Sequence, residues 1–219
     1  MVLHGVFEMS KLADFEAEIS SWTIKFDSVR DWKAERTRLP LMRGQYETML
    51  ADTGLPPSLQ AFADSFWKVC LAANVNQELE AGVKARAKRS LPSFARETHL
   101  NLLLHEVFKD VATLDNSIET DTQKKTDFVI ESVTNPVVVR LHTYTNTRRA
   151  HKFAAMEKKT PLAEEDSGKF VSDYRLTIDR KTGRTLPNDF WVYSPSQVQE
   201  VVDYFYECEG RYLEMVALA

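Results

Sequence analysis

Apolar residues between Leu12 and Val29 recur every three or four positions, at Leu12, Phe15, Ile19, Trp22, Phe26 and Val29. That spacing gathers them into one stripe of an α-helix, with Ser10 as candidate N-cap and Pro40 bounding the far end. The stripe covers under three heptads, so it predicts a helix laid on its own domain rather than a sustained coiled coil. A second helical stretch, Arg43 to Ala51, closes at Thr53-Gly54-Leu55-Pro56-Pro57. Ser58 opens a longer helix with Phe62, Phe66, Val69 and Cys70 inward; Asn74 and Asn76 interrupt the pattern, which resumes through Leu79 and Val83. Pro92 stops that run, and Ser93 caps a further helix with an apolar face of Leu100, Leu103, Leu104, Val107, Phe108 and Val111.

After Asp110 the period shortens from that of a helix to that of a strand. A strand is expected near Val111–Glu119. Asp127 to Glu131 and Val137 to Tyr144 are rich in β-branched and aromatic residues, with Thr134-Asn135-Pro136 as the turn between them. Arg148 to Lys158 regains helical character. Tyr174 to Ile178 alternates like a half-buried strand, Lys181 to Arg184 is a turn, and Asp189 to Tyr193 is a short buried strand. Ser194 or Ser196 caps a last helix carrying Val198, Val201, Val202, Phe205 and Tyr206. No repeat or low-complexity linker interrupts the chain. It reads as α/β, with a helical region over residues 1–92, an α/β domain over 93–219, and a boundary near Pro92.

Composition narrows the function. The 219 residues are 43% hydrophobic and 27% charged, ordinary for a globular protein and unlike a disordered one. A net charge of −4 removes a uniformly basic surface, so any nucleic-acid binding must come from local patches. Seven glycines include no Gly-rich phosphate loop. The two cysteines, Cys70 and Cys208, cannot build a disulfide framework, and neither has the basic neighbours of a nucleophile. His4, His99, His105, His142 and His151 lack the spacing of a zinc site, and no G-x-S-x-G elbow exists. Apolar runs such as Leu102 to Leu104 fall far below the roughly 20 residues of a membrane span. The first residues follow neither a secretory nor a transit plan. An intracellular protein without a membrane partner is expected, its compartment open among cytoplasm, nucleus and organelle.

The element order from Ser93 onward is helix, three strands, helix, strand, helix. Together with Thr126-Asp127 it resembles the core of the PD-(D/E)XK nuclease-like superfamily, over residues 93–206. The resemblance implies a restriction-endonuclease-like α-β-β-β-α-β core with a mixed sheet, against which the helical N-terminal portion packs. In that superfamily an Asp on one strand and a carboxylate-x-Lys motif on the next hold a divalent metal, and the Lys positions or activates the attacking water. Hard oxygen ligands suit Mg²⁺, which stabilises charge developing on a phosphate. Asp127 stands at the acidic strand position, and Glu97 lies in the preceding helix, where some members place an additional acid. The next strand departs from the motif. Arg140-Leu141-His142 replaces acid-x-Lys, and Val138-Val139-Arg140, one frame earlier, also lacks the carboxylate. Arg140 sets a positive charge where a dication would bind. No metal ligands are therefore assigned and no cofactor is expected; Mg²⁺ enters only if Glu97 and Glu131 assemble a different site. The catalytic candidates, for an active enzyme only, are Asp127, Glu97 and His142 as general base; the other role for His142 is a packed, hydrogen-bonded residue.

Thr145 to Lys152 follows the motif strand, so the resemblance sets its charges at the mouth of the family's site. Arg148, Arg149, Lys152 and Arg140 are candidate phosphate contacts, with Tyr144 and Asn146 available to stack on or hydrogen-bond to bases. A second basic stretch, Lys84 to Arg89 and on to Arg96, either binds an anion or serves as a solvated helix face. The leading expectation is an inactive nuclease-like domain that binds RNA or DNA within a nucleic-acid-processing assembly, with the RNA-binding RAP domains as one related branch. Two alternatives stand beside it: a structural subunit docking a protein through its N-terminal helices, and a divergent metal-dependent nuclease.

Overall fold

A computed structural model of the chain describes residues 3–23, 30–117, 119–120, 126–145 and 168–218, with the backbone alone over 3–10. The chain divides into two compact units, one of Met1–His99 with Leu186–Phe190, the other of Leu100–Thr185 with Trp191–Ala219.

In the first unit, α1 (Leu3–Ser21) buries Phe15 and Ile19, and Trp22 just beyond it is also buried. It begins well before Ser10, which is therefore no cap, and it stops at Ser21; Phe26 and Val29 lie outside the described residues. The Asn188 side-chain amide donates to the Ile19 and Trp22 carbonyls (2.8 and 3.0 Å), satisfying groups a helix end leaves open. A five-residue helix, α2 (Trp32–Arg36), follows, and the sequence pattern had not separated it. Asp31 caps it, its Oδ1 accepting the Lys33 N–H at 2.8 Å. The next helix, α3 (Met42–Thr53), ends on Gly54 at φ 71°, a left-handed conformation that favours glycine. Ser58 caps α4 (Leu59–Ala72). Tyr46, Phe62 and Phe66 lie fully buried here, and Phe94 packs its ring on Tyr46 at 5.6 Å. Burial pushes the Tyr46 phenol well above its ordinary pKa, against the lowering effect of its hydrogen bond with Thr98.

Pro92 does not end a helix. A 3₁₀ turn (Gln77–Leu79) leads into α5 (Glu80–Phe108), which runs unbroken through Pro92, so Ser93 caps nothing. An internal proline costs about 3 kcal/mol. Against that, α5 fully buries Leu91, Leu100, Leu104 and Phe108, each worth about 1.5–3 kcal/mol. Burial wins, and the helix continues past the expected boundary.

In the second unit, β1 (Ala112–Asp115), β2 (Phe128–Ser132), β3 (Val137–Thr145) and β4 (Phe170–Ile178) form one sheet in the order β1-β2-β3-β4. The β1–β2 and β2–β3 pairs are antiparallel and β3–β4 is parallel, which makes the sheet mixed. Its core includes Phe128, Ile130, Val139, Leu141, Leu176 and Ile178, packed with Leu104 and Phe108 of α5 and Val201 and Phe205 of α6 (Pro195–Ala217). The Phe108 and Phe205 rings meet nearly edge to face at 5.1 Å. Ser194 opens α6 with a capping box: its Oγ accepts the Gln197 N–H and the Gln197 side chain accepts the Ser194 N–H. A separate short hairpin pairs β5 (Arg184–Thr185) with β6 (Trp191–Val192). The helix expected over 148–158 lies outside the described residues. The fold is α/β with a four-stranded mixed sheet, and no described helix is long and apolar enough to cross a membrane.

Helix α2 packs closely on α5 in the first unit. A Cβ at Gly82 would stand 2.7 Å from the Cβ atoms of both Ala34 and Asp31. Gly82→Ala is expected to destabilise the chain by about 1–3 kcal/mol, the range for overpacking, read by urea denaturation. An unchanged midpoint would show that α2 is free to move off α5.

Candidate functional site

Strand pairing sorts the sheet's side chains into two faces. Val139 pairs with Ile130 on β2, and Leu141 with Phe128 on β2 and Tyr174 on β4, on the face that joins the core. The intervening positions face the other way: Arg140 is paired with Asp173, His142 with Arg175, Tyr144 with Thr177. On that second face Val129 and Val138 are buried toward the middle of the sheet, and polarity concentrates on β3 and the edge strand β4.

The centre of the polar region is a shared carboxylate. Asp173 Oδ2 accepts Arg140 Nη2–H at 3.1 Å, and Asp173 Oδ1 lies 3.0 Å from His142 Nε2. Arg140 Nε sits 3.1 Å from the same Oδ1 without hydrogen-bond geometry, so the guanidinium holds the acid by one hydrogen bond plus charge rather than as a two-pronged fork. His142 is buried, at 7% exposure, and so depends on this acceptor. Arg175, exposed on β4, makes no ion pair with a described residue. Asp127 precedes β2, and its N–H donates to the Leu141 carbonyl at 3.1 Å. Its carboxylate accepts both the Thr143 backbone N–H and the Thr143 hydroxyl, the latter at 2.9 Å, which ties the start of β2 to β3.

These donors do not fit a hard dication. One carboxylate, Asp127, is engaged by two Thr143 donors, and the other, Asp173, is neutralised by Arg140. Among the described residues no group of three or more His, Cys, Asp or Glu stands where it could hold a metal ion.

The remaining candidates separate. Glu97 belongs to the first unit, where its carboxylate lies 3.4 Å from the Arg43 guanidinium. Tyr144 is half-buried on the polar face. Asn146, Arg148, Arg149 and Lys152 lie outside the described residues. The basic stretch from Lys84 is largely occupied within the first unit. Lys84 pairs with Asp64 and Glu80 (2.8 and 2.6 Å), Arg89 pairs with Glu35, and Arg96 covers the Phe190 ring at 4.6 Å. Arg86 Nη1 lies 3.1–3.4 Å from the Ala34, Glu35 and Thr37 carbonyls, closing the C-terminus of α2. Cys70 and Cys208 are both buried and free, and burial pushes both thiols up, as expected of unreactive cysteines.

Sequence reasoning missed Asp173 and Arg175. Asp173 was hidden because the strand was expected to begin only at Tyr174; Arg175 lay within the expected strand but was not singled out as a phosphate contact. A scan against protein-family models and searches of curated proteins and of solved structures found no match to this chain.

The shared acceptor makes substitutions at this site unequal. Asp173→Ala strands Arg140 and a buried His142 and is expected to cost about 1–3 kcal/mol. Arg140→Met keeps the side-chain stem and leaves the more exposed Asp173 to water, costing under about 1 kcal/mol. Urea denaturation of both variants checks the order; Arg140→Met as the more damaging change would contradict it.

Proposed function

We propose that the second unit is a nuclease-like domain that has lost metal-dependent cleavage and binds nucleic acid along the polar side of β3 and β4. Its element order supports the fold assignment. The end of α5 precedes an antiparallel β1–β2–β3, β4 lies parallel to β3, and α6 closes the series. A helix over 148–158 would complete the restriction-endonuclease-like arrangement. Asp127 at the head of β2, beside β3, matches the superfamily's acidic position.

The observation that carries the functional reading is the Arg140–Asp173–His142 cluster. Arg140 and His142 lie on β3, the strand on which the superfamily would carry acid-x-Lys, so that a guanidinium would replace a metal-binding carboxylate, and Asp173 reaches them from β4. Arg140 and Asp173 cancel each other's charge, so they order the surface rather than supply affinity. Phosphate contact is assigned to Arg175 and to Arg148, Arg149 and Lys152, and stacking on a base to Tyr144.

Fluorescence anisotropy with labelled single-stranded RNA and DNA tests this across a salt titration. The parent chain is expected to bind with a log–log salt slope that Arg148→Ala/Arg149→Ala flattens by about one unit per lost contact. Far-UV circular dichroism of the double variant checks that the fold survives. Added Mg²⁺ or Mn²⁺ should produce no cleavage. Metal-dependent cleavage abolished by Asp127→Ala would overturn the pseudoenzyme reading, and no binding at low salt would favour a protein-docking subunit.

A further inference from the structure

The first unit carries an aromatic and basic surface that the sheet does not use. Trp32 opens α2 and is 63% exposed, unusual for a residue that is normally well covered. Around it the segment from Arg30 to Arg38 holds four cations and two acids. Both acids are spent internally. Asp31 accepts the Lys33 and Ala34 N–H groups as the helix cap, and Glu35 pairs with Arg89 of α5. Arg30, Lys33, Arg36 and Arg38 are all exposed, and none makes an ion pair with a described residue. Four cations against two acids leave the segment net positive.

The support beneath them is tight. Gly82 lets α5 approach so closely that a Cβ would collide with Asp31 and Ala34. Ala34 is fully buried, and Arg86 closes the last carbonyls of α2. An isolated five-residue helix would not persist in water, yet this one is held from below and at both ends. The Arg36 guanidinium lies 5.6 Å from the Trp32 ring centre, and most of the indole stays open to solvent.

We propose that Trp32 with Arg30, Lys33, Arg36 and Arg38 forms a binding surface for single-stranded nucleic acid, on which a base stacks on the indole and the cations hold phosphates. Its ligand class rests on the nucleic-acid reading above, while its residues belong wholly to the first unit. The planar ring favours a nucleic acid over an acidic peptide. Stacking on an aromatic is sequence-tolerant, because every base has a π-face, and phosphates on either side of the base meet the cations.

The test uses the full chain with oligo(dT) and oligo(U) of about fifteen nucleotides, and polyglutamate as an acidic chain without bases. Oligonucleotide is expected to quench the tryptophan emission of the parent, and the quenched component should be missing in Trp32→Phe. Trp32→Ala should weaken binding about tenfold and Trp32→Phe less, within the range for one stacked base. Lys33→Gln/Arg36→Gln/Arg38→Gln should flatten the salt slope by about two units. Far-UV circular dichroism confirms that each variant remains folded. Parent-like affinity in Trp32→Ala, combined with loss of binding in Arg148→Ala/Arg149→Ala, would overturn this inference and leave the second-unit reading standing. The reverse result would support this surface and remove that one. Polyglutamate binding as tightly as oligo(dT) would overturn the stacking role.

Discussion

The parallel pairing of β3 with β4 is the constraint on which the candidate site depends. Residues 137–145 lie in register with 170–178, so Arg140 meets Asp173 and His142 lies one step away on the same face. A slip of one residue would turn Arg140 and His142 toward the core and Val139 and Leu141 out of it. The core therefore excludes any odd-numbered slip: Val139, Leu141, Leu176 and Ile178 are buried together only when both strands keep these faces inward. The same hydrophobic fit that stabilises the unit delivers a guanidinium, a carboxylate and an imidazole to one spot.

Charge in this chain is informative only after its partners are known. Lys84, Arg89 and Arg96 stand in an acid-free stretch of sequence, yet acids and an aromatic ring brought in from distant positions engage them. The segment around Trp32 shows the opposite case. It already holds four cations to two acids in the sequence, and those acids serve a helix cap and an ion pair with Arg89, so the four exposed cations keep no ion-pair partner among the described residues. Net charge of −4 averages over both situations and describes neither.

Local chemistry made much of the fold legible. Ser58 and Ser194 are caps as their side chains suggest, Gly54 ends α3, and β2 and β3 follow their β-branched runs. Failures came where a local signal met a larger tertiary term. Pro92 would stop an isolated helix, but four buried side chains outweigh it. The stripe from Leu12 to Val29 implied a helix beyond Ser21, whereas Asn188, distant in sequence, meets the last carbonyls. The candidate site was half visible. Arg140, His142 and Asp127 lie on or beside neighbouring strands as expected, but Asp173, the residue that joins two of them, depends on a parallel register that no local pattern encodes.

The central claim is that this chain meets nucleic acid through the polar side of β3 and β4. Photo-crosslinking to single-stranded RNA containing 4-thiouridine, with mass spectrometry of the joined peptides, measures that contact directly. The account predicts crosslinks within residues 140–152 and 173–177 that decline as salt rises. Crosslinks confined to α6, or none at low salt, would contradict it.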